Sequence, residues 1–347
     1  MNRYKIGVVG LGSVGTQRHI PSWKRDDRAS LHAVLDRNPE TAERVADEYD
    51  VAHAFTDQEL FFEQDFDVVS ICTPPFTHAD IVMEALNSGA NVLSEKPLAL
   101  TTDDADRMIA TAEENDLTLG VVHNFLFASS MLKAREAVES GEVGKVQNVI
   151  GFQTSSPRRD LPTWYPELPG GLFFDESPHL LYLIEHFLGD LTVENVSAQT
   201  NPEAEQPIQM LNTSLRGDEE RMGSLLMLFE APLSEWYFAV VGTEKILVTD
   251  IFRDIYFTFD REESHSPREV LETSMRGIYQ ELRGVVSSGV RTLNDSLLFG
   301  TGELTKRYLD SLDEGTEPPV TAQEGREIVR VIETILDGTD LEREENI

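Results

Sequence analysis

The sequence predicts an α/β protein in two parts: a doubly wound parallel sheet, followed by an α/β region on a large, mainly antiparallel open sheet. Two patterns and one motif carry this. Up to about His123, short apolar runs alternate with amphipathic helical segments, as in a parallel sheet with crossover helices. Beyond it, alternating strands follow one another through tight turns such as Gly242-Thr243-Glu244, which join antiparallel neighbours. The motif is Gly10-Leu11-Gly12-Ser13-Val14-Gly15, a G-x-G-x-x-G directly after the strand-like run Ile6–Val9.

Each glycine of that turn has its own task. Gly10 permits the sharp turn, Gly12 keeps a side chain out of the path of a pyrophosphate, and Gly15 lets the next helix, expected over Gly12–Trp23, pack close to the strand. The N–H groups that open this helix, near Ser13 and Val14, suit phosphate. Asp36 ends a second strand, Leu31–Leu35, about twenty residues on, where a carboxylate binds both hydroxyls of an adenosine ribose. The motif therefore points to a dinucleotide. Asp36 repels a 2′-phosphate and favours NAD, whereas Arg37 beside it would ease NADP.

Taken in order, the first part has helices at Pro39–Tyr49, Thr77–Ser88 and Thr102–Asn115, and short strand and helix pieces around Ala52–Phe62. Its further strands are Asp67–Cys72, Asn91–Ser94 and Leu117–Val122, the first a near-continuous apolar run that suits burial on both faces. In the second part, helix Ser130–Ser140 leads to strands Val146–Thr154, Val193–Thr200, Ile208–Arg216, Arg221–Glu230, Glu235–Val241, Lys245–Ile251 and Ile255–Phe259. Helices return at Pro267–Ser288, Asp295–Asp313 and Thr321–Leu336. The last has Thr321 and Glu324 in capping-box positions and Ile328, Val331, Ile332, Ile335 and Leu336 on one stripe. The expected domains are 1–123 and 124–337, with the last helix free to return to the first domain, and a polar tail over 338–347.

Three stretches carry reactive groups. Thr73-Pro74-Pro75-Phe76-Thr77-His78 and Glu95-Lys96-Pro97 lie at the C-terminal ends of parallel strands, where ligands of open α/β sheets bind. Lys96 can polarise a hydroxyl or carbonyl there. In Gly170-Gly171-Leu172-Phe173-Phe174-Asp175-Glu176-Ser177-Pro178-His179, Ser177 reads as an N-cap and Pro178 as the first helical residue, which puts His179 in the first turn near Asp175. An imidazole titrating near neutrality accepts an alcohol proton, and a neighbouring carboxylate orients it. No metal site is expected: His78, His123, His179 and His186 lack zinc spacing, and Cys72 is the only cysteine.

Gly10–Gly15 with His19 and Pro21, Thr73-Pro74-Pro75 with His78, Glu95-Lys96-Pro97, and Gly170-Gly171 with Asp175 and His179 together resemble the Gfo/Idh/MocA oxidoreductases, from about Lys5 to Leu336. That family is named for glucose–fructose oxidoreductase and inositol dehydrogenase. The resemblance implies a Rossmann domain that binds NAD, or NADP, through Gly10, Gly12, Ser13, Val14, Gly15, Asp36, Arg37, Thr73, Pro74, Pro75, His78, Glu95 and Lys96. It also implies a homodimer or homotetramer formed through the sheet of the second domain. Lys96, Asp175 and His179 would surround the substrate carbon: His179 exchanges the hydroxyl proton, Lys96 holds the oxygen, Asp175 supports both, and a hydride passes to or from the nicotinamide.

The implied substrate is a sugar, cyclitol or related polyol, with Asn124, Trp164 and Tyr165 as further contacts. Pro157–Leu168, which also contains Arg158 and Arg159, reads equally as a loop over a pocket and as a connector covering the sheet. Two departures alter the pocket wall. Asn124-Phe125-Leu126-Phe127 lacks the arginine that relatives often carry there, and Glu176, Ser177 and Tyr182 stand where an apolar residue, Gly and Asp are common. Two other classes share the resemblance: an NAD-using hydrolase or lyase with transient oxidation of its sugar, and a non-catalytic NAD-sensing regulator. Retention of Lys96, Asp175 and His179 together argues against the regulator.

A formal net charge of −33, from 62 acidic against 29 basic residues, repels nucleic acid and anionic lipid. No apolar run is long enough to span a membrane, and the first strand begins within a few residues of the N-terminus, so a cytoplasmic location is expected. At molar salt the screening length falls to about 3 Å, and the acidity reads as the adaptation of a halophile to a salt-rich cytoplasm. Thermal unfolding is then expected to move to higher temperature as KCl rises from dilute buffer to molar concentration. A midpoint and an activity that stay at full value in dilute buffer would assign the acidity another cause.

Overall fold

The computed structural model describes residues 3–293, 299–339 and 341, and the chain divides into two compact units. Residues up to Asn124 join with Gly300–Arg330, and Phe125–Phe299 join with the residues from Val331 on. The first unit contains β1 (Tyr4–Val9), α1 (Ile20–Lys24), β2 (Ala29–Leu35), α2 (Pro39–Tyr49), β3 (His53–Phe55), α3 (Gln58–Phe62), β4 (Val68–Ile71), α4 (His78–Asn87), β5 (Asn91–Ser94), α5 (Thr102–Glu114) and β6 (Leu119–Val121). All six strands are parallel, in the order β3-β2-β1-β4-β5-β6. The order reverses between β1 and β4, so a crevice opens at their C-terminal ends. β4 is buried along its whole length, as its Val-Val-Ser-Ile sequence between two helical layers requires.

The helix expected over Gly12–Trp23 takes another form. Gly15–His19 makes one wide turn, closed by the Ile20 N–H on Gly15 O, and only then does α1 begin. Pro21 supplies the reason: it has no N–H for the regular bond back to Gln17, so the ladder is interrupted and widens just ahead of it.

The second unit contains α6 (Ser129–Glu139), β7 (Val146–Thr154), α7 (Leu172–Leu188), β8 (Thr192–Thr200), β9 (Ile208–Arg216), β10 (Met222–Leu228), β11 (Glu235–Gly242), β12 (Lys245–Asp250), β13 (Ile255–Asp260) and α8 (Pro267–Leu293). Its seven strands run in the order β13-β12-β11-β7-β10-β9-β8, antiparallel except for the parallel pair β7 and β10. Alternate residues of β10 and β11 are buried. α7 covers that face, and the bare glycines Gly151 and Gly223 lie under its Leu180 and Ile184. Nearly every α7 side chain is buried, so this helix is covered all round rather than along one stripe.

α7 starts at Leu172, not at Pro178 as the Ser177-Pro178 pair suggests. Gly170 (φ +70°) and Gly171 (φ +64°) turn the chain into the helix, and Gln206 Oε1 accepts the Leu172 N–H at 2.8 Å. The capping acceptor thus comes from a residue remote in sequence. Ser177 is left as a buried helical residue and Pro178 sits inside the helix.

α9 (Thr301–Glu314) and the start of α10 (Ala322–Asp337) belong with the first unit; the sequence reading left the last helix free to return there but kept α9 in the second domain. Tyr308 of α9 is fully buried and donates its hydroxyl hydrogen to Val92 O at 2.9 Å; its ring lies on Gly120, where a Cβ would come within 2.8 Å. Thr321 bridges to Gly120, and the expected capping box forms: the Thr321 N–H donates to Glu324 Oε2 (2.7 Å) and the Glu324 N–H to Thr321 Oγ1 (3.2 Å). The start of the helix expected at Asp295–Asp313, residues 295–298, lies outside the described residues, as do 340 and 342–347 of the expected tail. Among the described residues, no helix is long and apolar enough to cross a membrane.

Candidate active site

The turn after β1 is shaped by what its glycines would otherwise strike. Gly10 has φ +88°, and a Cβ on it would lie 2.8 Å from the Cys72 backbone at the end of β4. One on Gly15 would lie 2.2 Å from Gly10 O, whereas one on Gly12 would meet nothing within 4 Å. Two glycines are therefore required by crowding and the third faces open space, with exposed Ser13 beside it. Asp36 leaves the end of β2 and is held from both sides: its Oδ2 accepts the Leu11 N–H and its Oδ1 the Asn38 N–H, each at 2.9 Å. The carboxylate is fixed beside the turn with lone pairs left for a ribose, while Arg37 is exposed. Open space over Gly12 and an anchored carboxylate at the neighbouring strand end suit a dinucleotide.

The same turn delivers His19 into the interior. It is fully buried, with Nδ1 2.6 Å from Ser70 Oγ and Nε2 2.9 Å from Glu95 Oε1. Burial alone would lower its pKa, but the facing Cys72 sulfur and the Glu95 carboxylate raise it to about 10. For Glu95, burial pulls upward and is outweighed by the hydrogen bond and charge of His19 and by the charge of Lys96, so its pKa is lowered. His19 and Glu95 are thus a buried ion pair. Glu95 Oε2 also accepts the N–H of Lys96, at 3.1 Å, and Lys96, half-buried, precedes a cis peptide bond to Pro97.

His78 differs from its expected role. It is fully buried, with Nε2 2.9 Å from Thr73 O and Nδ1 2.9 Å from Pro97 O, so it joins the Thr73-Pro74 turn to the Pro97 turn and presents no surface to a ligand. Burial lowers its pKa while the two carbonyls pull the other way. Pro75 and Glu95 are buried as well; of the four residues expected to bind cofactor in that stretch, only Thr73 and Pro74, both half-buried, keep accessible surface.

In the second unit, Asp175 and His179 are four apart on α7 and so share a face. His179 is 8% exposed; its Nδ1 lies 3.0 Å from Tyr182 Oη, which accepts the Phe125 N–H at 3.1 Å. The Phe125 ring centroid is 4.6 Å from the imidazole and that of Trp236 is 5.5 Å away. Trp236 escaped the sequence reading, because a tryptophan at an inward position of an alternating strand looks like core. Glu176 is buried in a polar cluster, accepting from Ser155 Oγ at 2.9 Å and paired with Gln153 and Arg159. Burial lowers the Arg159 pKa and the nearby Asp175 charge opposes that. Arg159 therefore turns inward, while Trp164 and Tyr165 are half-buried in their loop and Asn124 is buried.

Fold and residues define a two-unit α/β protein with a dinucleotide turn in its first unit and a histidine–carboxylate helix in its second. Residues 4–123 match the oxidoreductase family with an NAD-binding Rossmann fold, and residues 131–248 match the GFO/IDH/MocA C-terminal domain. The chain belongs to the Gfo/Idh/MocA family, and its first unit is that family's NAD-binding fold. It is 32% identical over 195 residues to myo-inositol 2-dehydrogenase of Thermotoga maritima, covering 56% of this chain and 57% of that protein. It is 31% identical over 202 residues to dTDP-3,4-didehydro-2,6-dideoxy-α-D-glucose 3-reductase of Saccharopolyspora spinosa, covering 58% and 61%. Both matches thus span about three fifths of the relative's own length. The fold is also that of the WlbA dehydrogenase of Bordetella pertussis, solved with NADH and UDP-GlcNAcA, at TM-score 0.80 and 19% identity over 97% of this chain and 95% of the other.

The ion pair gives a test by pH. Because the His19 pKa is raised, the pair's contribution to stability is complete below the ordinary imidazole range and is lost as pH rises through about 10. Because the Glu95 pKa is lowered, the contribution is also lost in acid, as pH falls through that depressed value. Glu95→Gln is expected to reduce the unfolding free energy by about 3 kcal/mol near neutral pH, and denaturant titrations should show the gap to wild type closing toward pH 10. A gap that is absent, or the same at both pH values, contradicts the pair.

Proposed function

We propose that this chain transfers a hydride between NAD and the carbinol carbon of a sugar, cyclitol or related polyol. The observation that supports this most is the His19–Glu95 pair, which ties the dinucleotide turn to the Lys96 turn inside one rigid sheet end. Gly12 and the N–H groups after it would take the pyrophosphate, and Asp36 the adenosine ribose, with NAD preferred because that fixed carboxylate repels a 2′-phosphate. When bound, NAD supplies the hydride acceptor.

The remaining work falls to side chains. Lys96 holds the substrate oxygen by charge and stabilises negative charge developing on it. His179, aligned by Tyr182 Oη at Nδ1, exchanges the hydroxyl proton through its other ring nitrogen. Asp175, one turn before His179 on α7, supports the charged imidazole. The Phe125 and Trp236 rings keep water from the imidazole and offer apolar faces that suit a sugar ring.

A panel of sugars and polyols followed at NADH absorbance in molar salt tests this. Lys96→Ala and His179→Ala are each expected to lower kcat/KM by roughly 10²–10⁴, and the double variant should lose less than the product of the two if both act on one hydroxyl. A substitution that leaves the rate unchanged removes that residue from the mechanism. A lower KM for NADP than for NAD overturns the role given to Asp36, and tightly held NAD without net NADH formation would favour the hydrolase or lyase class.

A further inference from the structure

α8 is seated the wrong way round for a solvated surface helix. Toward the sheet it presents polar and small residues: Gln280 donates to Thr258 O at 3.0 Å and accepts the Thr258 N–H at 2.8 Å, so its amide closes the open edge of β13. Gly284 lies against Ile255, where a Cβ would come within 2.3 Å. Away from the sheet, Leu271, Met275, Ile278, Leu282 and Val285 are 51–63% exposed, and Val286 beside them is 67% exposed. Scattered exposed apolar side chains need no explanation, but a continuous stripe on one face does.

The spacing of that stripe is 4, 3, 4, 3, the heptad repeat of helices that pair along a seam. We propose that α8 is a self-association surface, pairing with α8 of a second copy of this chain. Three observations favour that occupant. A regular heptad stripe is its own complement, as a two-fold interface requires. The stripe with Val286 exposes on the order of 700 Å² per copy, close to the roughly 800 Å² per partner of a stable interface. Charge points the same way: α8 carries Arg268, Arg276, Arg283 and Arg291 against Glu269, Glu272 and Glu281, close to neutral in a chain of net charge −33. Two copies of so acidic a chain meet at least electrostatic cost where the charge is locally balanced, and salt that screens the remainder strengthens the pairing. The stripe is carried by α8, whereas the association that the family resemblance implies runs through the strands of the sheet.

Sedimentation equilibrium at micromolar concentration in molar salt tests the proposal, using wild type and the double variant Met275→Gln/Leu282→Gln. Glutamine keeps helix propensity, and far-UV circular dichroism verifies that the variant is folded. Wild type is expected at an even multiple of the chain mass and the folded double variant at half of the wild-type value. A monomeric wild type, or a folded double variant with the wild-type mass, overturns the proposal. So does sedimentation of wild type, but not of the variant, with phosphatidylcholine vesicles, which would make the stripe a lipid surface.

Discussion

The first unit depends on one steric constraint: the chain leaving β1 must turn within a space bounded by the end of β4 and by its own carbonyl. Gly10 and Gly15 meet that constraint because no side chain fits at either position, with a Cβ 2.8 Å from the Cys72 backbone in one case and 2.2 Å from Gly10 O in the other. Once the turn is that tight, open space is left over Gly12, and the following wide turn carries His19 inward to Ser70 and Glu95. Glu95 then holds the Lys96 N–H. The backbone that can receive phosphates and the backbone that presents the lysine are therefore parts of one buried network. A charge pair in such a place is stable only because its remaining hydrogen-bonding capacity is filled, here by Ser70 and the Lys96 amide.

A comparable economy governs the second unit. α7 is positioned by its glycine entry and by Gln206 at its first N–H, and His179 by the hydroxyl of Tyr182, itself held by the Phe125 N–H. Glu176 is matched by Arg159, Gln153 and Ser155, and the Tyr182 hydroxyl stands beside the imidazole. Beside the imidazole stand the Phe125 and Trp236 rings, with centroids 4.6 and 5.5 Å from it.

Legibility in the sequence followed the range of the interactions. The Thr321–Glu324 capping box is local and has the form that its residues announce, and the glycine turn and the Asp36 strand end stand where their motif spacing puts them. What escaped was set from a distance. The start of α7 is decided by Gln206, so the nearer Ser177-Pro178 signal misleads. The return of α9 to the first unit, ahead of the last helix whose return was expected, follows Tyr308 lying on Gly120. His78 sits among ligand-side residues in sequence, yet two carbonyls from separate turns draw it inside. The apolar stripe of α8 can be seen in the sequence, but its outward direction cannot, since that depends on Gln280 meeting the edge of β13.

The central claim is that the bare backbone at Gly12 is kept clear for a dinucleotide, and the most direct measurement is calorimetric titration of NAD in molar salt. Gly12→Val adds a side chain where nothing lies within 4 Å, so the protein itself has no reason to unfold. Saturable binding of one NAD per chain by wild type, abolished in the folded Gly12→Val variant, is the predicted result. Wild type that fails to bind NAD, or a variant that binds it equally well, would contradict the account.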